Sequence, residues 1–197
     1  MKKMPARTYD RILDQGLEML SVTGLSGVTF GALADAVGMS KSGLFAHFRS
    51  KEDIQRRLLG HADALVAAHV VAPAMAEPPG LPRLTALMRR WLGWTRRAGL
   101  GGGCPIASAL FELDDLDGEV RAQVGAAEAR SRALLATLAG EAVADGTFRP
   151  DTDIDQLVWE LRGLYLGHHV SSRFAAEPLA DQRAWTAFEA LVERYRR

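Results

Sequence analysis

The sequence has 197 residues, of which 48% are apolar and 24% are charged, and its basic and acidic side chains are equal in number. This composition is ordinary for a folded globular protein and excludes a long disordered chain. Residues 1–60 carry nine Lys or Arg against six Asp or Glu, a balance of +3, so the other 137 residues carry −3.

Compartment and membrane association are constrained by two features. Cys104 is the single cysteine, so no disulfide can form within the chain and an oxidising compartment is not implied. No apolar run follows the two lysines at the start, and the most apolar stretch, residues 62–76, is interrupted by polar residues and is short for a bilayer. We therefore expect a soluble, cytoplasmic protein with no membrane partner.

Helical periodicity dominates the chain, and no segment alternates like a strand. Glycine and proline separate the helical segments, with Gly24, Gly38 and Gly146 placed to end three of them. The sequence therefore predicts an all-α protein of about nine helices, at residues 6–22, 29–37, 40–48, 50–75, 81–97, 105–113, 117–145, 151–176 and 179–196.

The segment from residue 27 to 53 has the pattern of a helix-turn-helix. Thr29 can cap a first short helix, Gly38 suits a left-handed turn, and Ser40 can cap a second helix. In such a motif the second helix enters the DNA major groove with its N-terminal residues nearest the bases. Lys51 then lies in a capping box that opens a long helix, where it could hold a phosphate. The expected DNA-binding residues are Thr29, Ser40, Lys41, Ser42, Gly43, Phe45, His47 and Lys51.

The same segment resembles the DNA-binding region of the TetR/AcrR family of transcriptional regulators. Two positions depart from the family pattern: Phe45 stands where a tyrosine is usual, so a phosphate-bonding hydroxyl is missing, and Gly43 stands where a hydroxyl or small side chain is commoner. The matching positions are Thr29, Leu33, Ala34, Gly38, Met39, Ser40, Leu44, Phe45, His47, Phe48, Ser50, Lys51, Glu52 and Ile54.

This resemblance implies a three-helix DNA-binding domain, residues 1–49, and a helical domain for effector binding and dimerisation, residues 50–197. It further implies a homodimer that binds a palindromic DNA operator, most simply as a repressor, and that a small organic ligand releases. The ligand would favour a spacing of the two recognition helices that no longer matches successive major grooves, about 34–36 Å apart.

The last two predicted helices carry more apolar residues than one buried face needs, which favours a contact between two subunits, although both could instead close their own core. The predicted interface residues are Gly163, Gly167, Trp185, Phe188, Leu191, Val192 and Tyr195. Aromatic and methionine side chains also suggest an apolar ligand pocket, although the same spacing is typical of ordinary core. Its predicted lining is Leu87, Met88, Trp91, Trp94, Thr95, Cys104, Ile106, Ser108, Phe111, Tyr165 and His168.

The cysteine and the histidines suggest other functions. The glycine-rich run before Cys104 could bind an anion or activate the thiol as a redox sensor, although a buried, inert cysteine fits as well. An enzyme using Cys104 with His168 or His169 has no orienting group nearby in sequence, and the histidines lack metal-ligand spacing. We therefore expect no enzyme, metal or cofactor. A DNA-binding protein that senses no ligand remains the alternative.

Overall fold

The structure, a computed structural model, describes residues 6–197, and in this range it is helical with no β-strand. A single isolated β-bridge joins Phe148 and Arg196. The all-α prediction is thus confirmed. The helices are α1 (Ala6–Gly27), α2 (Phe30–Val37), α3 (Lys41–Phe45), α4 (Lys51–Val66), α5 (Ala72–Met75), α6 (Leu81–Trp91), α7 (Trp94–Arg97), α8 (Pro105–Glu112), α9 (Glu119–Ala144), α10 (Ile154–Arg173) and α11 (Ala180–Tyr195).

Two predicted helix boundaries change for local reasons. Gly24, at φ 69°, interrupts the helical path of α1, which then runs one further turn to Gly27. Gly93, at φ 70°, divides the predicted helix 81–97 into α6 and the single turn α7. A positive φ is a conformation that glycine adopts without the Cβ clash of other residues. Gly24 therefore interrupts α1 near the predicted helix end, and Gly93 breaks a helix that the apolar pattern alone would continue.

The predicted long helix after the helix-turn-helix is one continuous run, in which α4 passes into α5 through a π-helical turn, Ala67–Val71. By length and composition the run Lys51–Met75 is the one described helix that could cross a membrane. Its first half is nevertheless an amphipathic helix of a folded core, because Ile54, Leu58 and Leu59 are completely buried. Burial of each such side chain contributes about 1.5–3 kcal/mol.

The described chain forms two compact units, each built from two segments. Unit 1 combines the described part of Met1–Ala64 with Thr95–Ala127, and unit 2 combines Leu65–Trp94 with Glu128–Arg197. The predicted functional division after residue 49 stays a prediction. Packing within unit 1 joins α1 to both α2 and α8, whereas in unit 2 the helices α10 and α11 form an antiparallel pair.

The glycine run that precedes α8 lies directly on α1 within unit 1. Gly102 N–H donates to the Ser21 hydroxyl at 3.0 Å, and Gly103 N–H donates to the Ser21 carbonyl at 3.0 Å. A Cβ at Gly102 would overlap the Ser21 backbone. The run therefore brings two backbones together more closely than any side chain would permit.

Candidate nucleic-acid interface

The two short helices α2 and α3 are capped and joined as a helix-turn-helix. Thr29 Oγ1 accepts a hydrogen bond from Ala32 N–H at 3.1 Å, and Ser40 Oγ accepts one from Gly43 N–H at 3.1 Å. Between them Gly38 is left-handed, with φ 66° and ψ 38°. Each cap satisfies a backbone donor that the first turn of a helix leaves free. The angle between α2 and α3 is thereby set by residues within the motif itself.

An exposed face of α3 carries the chemistry expected of a recognition helix. Lys41, Ser42 and Phe45 are exposed and, at spacings of three and four residues, share one face. The hydroxyls of Ser40 and Ser42 lie 3.0 Å apart. The Lys41 ammonium and the two serine hydroxyls are suited to hydrogen bonds with DNA phosphates and base edges.

Phe45 is held against the start of α2. Its ring stacks on Phe30 with the centroids 3.9 Å apart and the planes 15° apart, and yet the side chain is 58% exposed. Lys41 crosses the same end of α2, because a Cβ at Gly31 would approach Lys41 Cε to 3.2 Å. Sequence reasoning did not identify Phe30 as part of this surface, although an aromatic residue at the start of α2 and another at the end of α3 were a usable indication.

The other predicted DNA-binding residues differ in their exposure. Gly43 and His47 are half-buried. A Cβ at Gly43 would lie 3.3 Å from both Met39 Cε and Ser40 Oγ, so glycine avoids crowding the cap. Lys51 is exposed at the start of α4, where its Nζ donates to the Ser26 carbonyl at 3.4 Å.

The start of α4 differs in one hydrogen bond from the predicted capping box. Ser50 Oγ accepts from Asp53 N–H at 3.1 Å, as predicted, but the Asp53 carboxylate accepts from Arg49 N–H at 3.0 Å rather than from Ser50. Arg57 Nε also donates to Asp53 at 2.9 Å. Burial raises the pKa of Asp53, but the hydrogen bonds from Arg49 and Arg57 outweigh it and hold that pKa below its usual value.

The turn between α1 and α2 is fixed by side chains from elsewhere in unit 1. The Glu112 carboxylate, at the end of α8, accepts from Leu25 N–H at 3.0 Å and from Ser26 N–H at 3.2 Å. Gln55 Nε2, on α4, donates to the Leu25 carbonyl at 2.8 Å in a buried position. Sequence reasoning missed both residues. A polar Gln55 directly after the buried Ile54 was the one available sign.

Part of the predicted pocket lining forms a buried aromatic cluster in unit 2. Trp91 stacks on Tyr165 with the centroids 4.3 Å apart, and Trp94 Nε1 donates to the Tyr165 hydroxyl at 3.2 Å. Arg162, only 7% exposed, lies over both rings of that stack, 5.3 Å and 5.7 Å from their centroids. Its guanidinium forms a two-point ion pair with Glu128, with Nε 2.9 Å from the carboxylate. Arg162 was not predicted.

The remaining predicted pocket residues divide between the units. Leu87 and Met88 are buried in unit 2, where His168 Nε2 lies 2.7 Å from Asp181 Oδ1. The other five belong to unit 1, so their place in one pocket stays a prediction: Thr95, Cys104, Ile106, Ser108 and Phe111.

The redox, enzymatic and metal-binding alternatives depend on the cysteine and the histidines. Cys104 is free and only 6% exposed, which agrees with the interpretation as a buried structural thiol. Burial, together with Arg173 and His168, lowers the pKa of His169. Among the residues that the structure describes, no three His, Cys, Asp or Glu side chains are grouped so as to hold a metal ion.

The predicted dimer residues do not share one surface. Gly163 and Gly167 are exposed on α10, and a Cβ at either would meet nothing within 4 Å. Phe188, Leu191 and Val192 are instead buried within the single chain, which corrects their assignment to an intersubunit surface. The Trp185 ring packs against Phe188 in a tilted arrangement, with the centroids 5.1 Å apart, and Tyr195 donates its hydroxyl hydrogen to Glu160 at 3.0 Å. The most apolar face of α11 therefore packs inward.

The outward faces of α10 and α11 carry a different set of residues. The exposed aromatic side chains here are Trp159 on α10 and Phe174, the residue that directly follows α10. They lie on the same side as the two open glycines, at spacings of four and seven residues. The outer face of α11 forms a shallow groove lined by Leu179, Gln182, Arg183, Thr186, Ala187 and Ala190.

Comparison with known proteins identifies the family. The profile described as bacterial regulatory proteins, tetR family, matches residues 12–58, and the one described as tetracyclin repressor-like, C-terminal domain, matches residues 80–188. The HTH-type transcriptional repressor KstR2 of Mycolicibacterium smegmatis is 29% identical over 154 residues, covering 77% of this chain and 72% of the repressor.

Solved structures share the fold. A TetR transcriptional regulator from Chloroflexus aurantiacus superimposes with a TM-score of 0.87 at 24% identity, covering 97% of this chain and 96% of that one. AibR, solved with isovaleryl coenzyme A and operator DNA, gives a TM-score of 0.74 at 22% identity over 95% and 97% of the two chains. Because the two profiles together span most of the chain and the helix-turn-helix is formed, the protein belongs to the TetR family and is a DNA-binding transcriptional regulator.

Proposed function

We propose that this regulator is a homodimeric repressor that binds an inverted-repeat operator and is released by a small organic ligand. The observation that carries the proposal is the capped helix-turn-helix with Lys41, Ser42 and Phe45 exposed on one face of α3. A single motif makes too few contacts for a specific site, and a two-fold dimer doubles them across two half-sites about 34–36 Å apart. The resemblance to the repressor KstR2 supports the repressor role.

The outward faces of α10 and α11 support the dimer. Gly163 and Gly167 leave a strip of backbone open to close approach by another helix, and Trp159 and Phe174 flank it with exposed apolar surface. A two-fold contact would place the same strip of each subunit against the other. Exposed aromatic side chains beside a bare backbone are the arrangement that such a contact would bury.

The ligand is supported by the relatives and by the aromatic cluster of unit 2. AibR was solved with an acyl-coenzyme A thioester as well as with operator DNA, so one relative joins both activities in one chain. In the present chain Trp91, Trp94 and Tyr165 form a buried aromatic wall with a cation, Arg162, beside it. The ligand would act by favouring the conformation that does not bind DNA.

The first experiment selects duplexes from a randomised pool with the purified protein and measures their affinity at several salt concentrations. We expect an inverted repeat bound at least ~10³ times more tightly than a nonspecific duplex. Isovaleryl coenzyme A, with free coenzyme A as control, is then the first probe for release of the complex. Weak and equal binding to every duplex would contradict the proposed function.

The dimer is tested with Gly163→Glu. Because a side chain at this position meets nothing within the protomer, the variant should fold normally but sediment as a monomer and lose tight binding to the inverted repeat. Gly125→Glu is the matched control, since Gly125 is another exposed helical glycine whose Cβ would meet nothing. A Gly163→Glu protein that remains a dimer would remove this face of α10 from the interface.

A further inference from the structure

The ring of Phe45 is an apolar surface where a DNA-binding protein normally presents polar groups. It is 58% exposed although it stacks on Phe30 at 3.9 Å. Exposure of an aromatic ring to water is unfavourable, and the hydrophobic effect would favour its burial. The stack fixes the plane of the ring against α2, so the ring stays outside the core. Its exposed side is therefore available to a partner at little further cost in side-chain entropy.

The neighbours of Phe45 indicate which part of DNA would meet the ring. Phe45 shares its face with Ser42 and Lys41, three and four residues earlier, so the three side chains meet the same short stretch of duplex. A phenyl ring has no donor for a phosphate. In the major groove, the apolar group that a base presents is the C5-methyl of thymine, and phenylalanine is among the side chains that contact it.

We propose that Phe45, supported by Phe30, reads the C5-methyl group of one thymine in each half of the operator. Lys41 and Ser42 would bind phosphates or base edges beside it. This inference rests on the proposed function, because it requires a specific DNA site. It assigns to Phe45 a role in choosing the sequence rather than in general affinity for the DNA backbone.

The test uses the duplex that the protein itself selects. Each thymine is replaced in turn by deoxyuridine, symmetrically in both half-sites, which removes one methyl group and leaves every hydrogen bond of the base pair in place. At one symmetric pair of positions we expect about fourfold weaker binding per half-site, about sixteenfold for both, the effect of about 0.8 kcal/mol for each methyl-sized group. Wild-type binding that no such replacement weakens would overturn the inference.

Variants show whether Phe45 is the residue that senses the methyl. With Phe45→Ala, replacement of the same thymines should no longer change the affinity, whereas Phe45→Tyr, which keeps the ring, should retain the sensitivity. Leu116→Ala, which removes an apolar side chain of similar exposure outside the helix-turn-helix, should also retain it. Thermal unfolding confirms that each variant is folded. Sensitivity that persists in Phe45→Ala would assign the methyl contact to another residue.

The outcomes separate this inference from the proposed function. If a specific duplex is selected but none of its thymine methyls matters, the proposed function stands and the role of Phe45 fails. The same is true if Phe45→Ala weakens binding to every duplex equally, because the ring would then contact the sugar–phosphate backbone. If no duplex is selected above the nonspecific level, both fail.

Discussion

Glu112 lies far from the helix-turn-helix in sequence, but its carboxylate accepts the N–H groups of Leu25 and Ser26 at 3.0 Å and 3.2 Å. Hydrogen bonds to a charged group contribute about 1.5–3 kcal/mol each when buried, and these are part-buried or exposed, so we take about 1 kcal/mol each. Glu112→Ala should therefore weaken the docking of the turn before α2 by about 2 kcal/mol. Glu112→Gln keeps one acceptor oxygen and should therefore lose only about half of this stabilisation, about 1 kcal/mol.

Native-state hydrogen exchange measures this effect directly. A loss of about 2 kcal/mol corresponds to roughly thirtyfold faster exchange of the Leu25 and Ser26 amides, because 1.36 kcal/mol is a factor of ten. The slope of DNA affinity against salt should be unchanged, since no phosphate contact is removed. Asp115→Asn, which changes an exposed carboxylate in the segment between α8 and α9, serves as the control. Unchanged protection of both amides in Glu112→Ala would refute the reasoning.

Three further changes test the interface and its supports. Lys51→Ala should weaken binding to all duplexes and lower the slope of log affinity against log salt concentration by about one unit. Arg149→Ala is the control outside the motif. An unchanged slope in Lys51→Ala would remove Lys51 from the phosphate contacts. Ser40→Ala should lower the free energy of unfolding by about 1 kcal/mol, and Ser40→Gly by only a few tenths, as measured by urea denaturation. Asp53 has a lowered pKa in the folded state, so its stabilisation is present above about pH 4 and is lost as the pH falls through the folded pKa. The difference in unfolding free energy between wild type and Asp53→Asn should accordingly shrink below about pH 4, and a constant difference would contradict this assignment.

The helix-turn-helix was predictable from sequence because its determinants are local. The caps at Thr29 and Ser40 each act on an N–H group three residues ahead, and Gly38 requires only its own dihedral angles. For such local contacts, the number of residues between two groups determines how they are placed in space. The π-helical turn after Val66 and the split at Gly93 were not predicted, because both depend on hydrogen bonding and dihedral angles that an apolar pattern does not record.

Contacts between distant segments were not predictable from one sequence. Nothing near Glu112 indicates that it binds Leu25, 87 residues earlier, and Arg162 gives no sign of its pairing with Glu128. Periodicity also misassigned α11. It identified an apolar face that includes Phe188, but it could not show whether that face meets the protein's own core or a second subunit. The protomer's core takes the larger apolar residues, and the outer face has small and polar ones.

The contact of Gly102 with Ser21 has a consequence for how this sequence can vary. The three glycines before Cys104 are the same residue type but are not equivalent in the structure. A Cβ at Gly101 would clash only with the movable end of the Glu18 side chain, whereas one at Gly102 would clash with the Ser21 backbone. In a library of all single substitutions, Gly102 should tolerate no replacement and Gly101 several. Sequence variation at this junction is thereby limited by the contact between two backbones, a constraint that acts whether or not a ligand or DNA is bound.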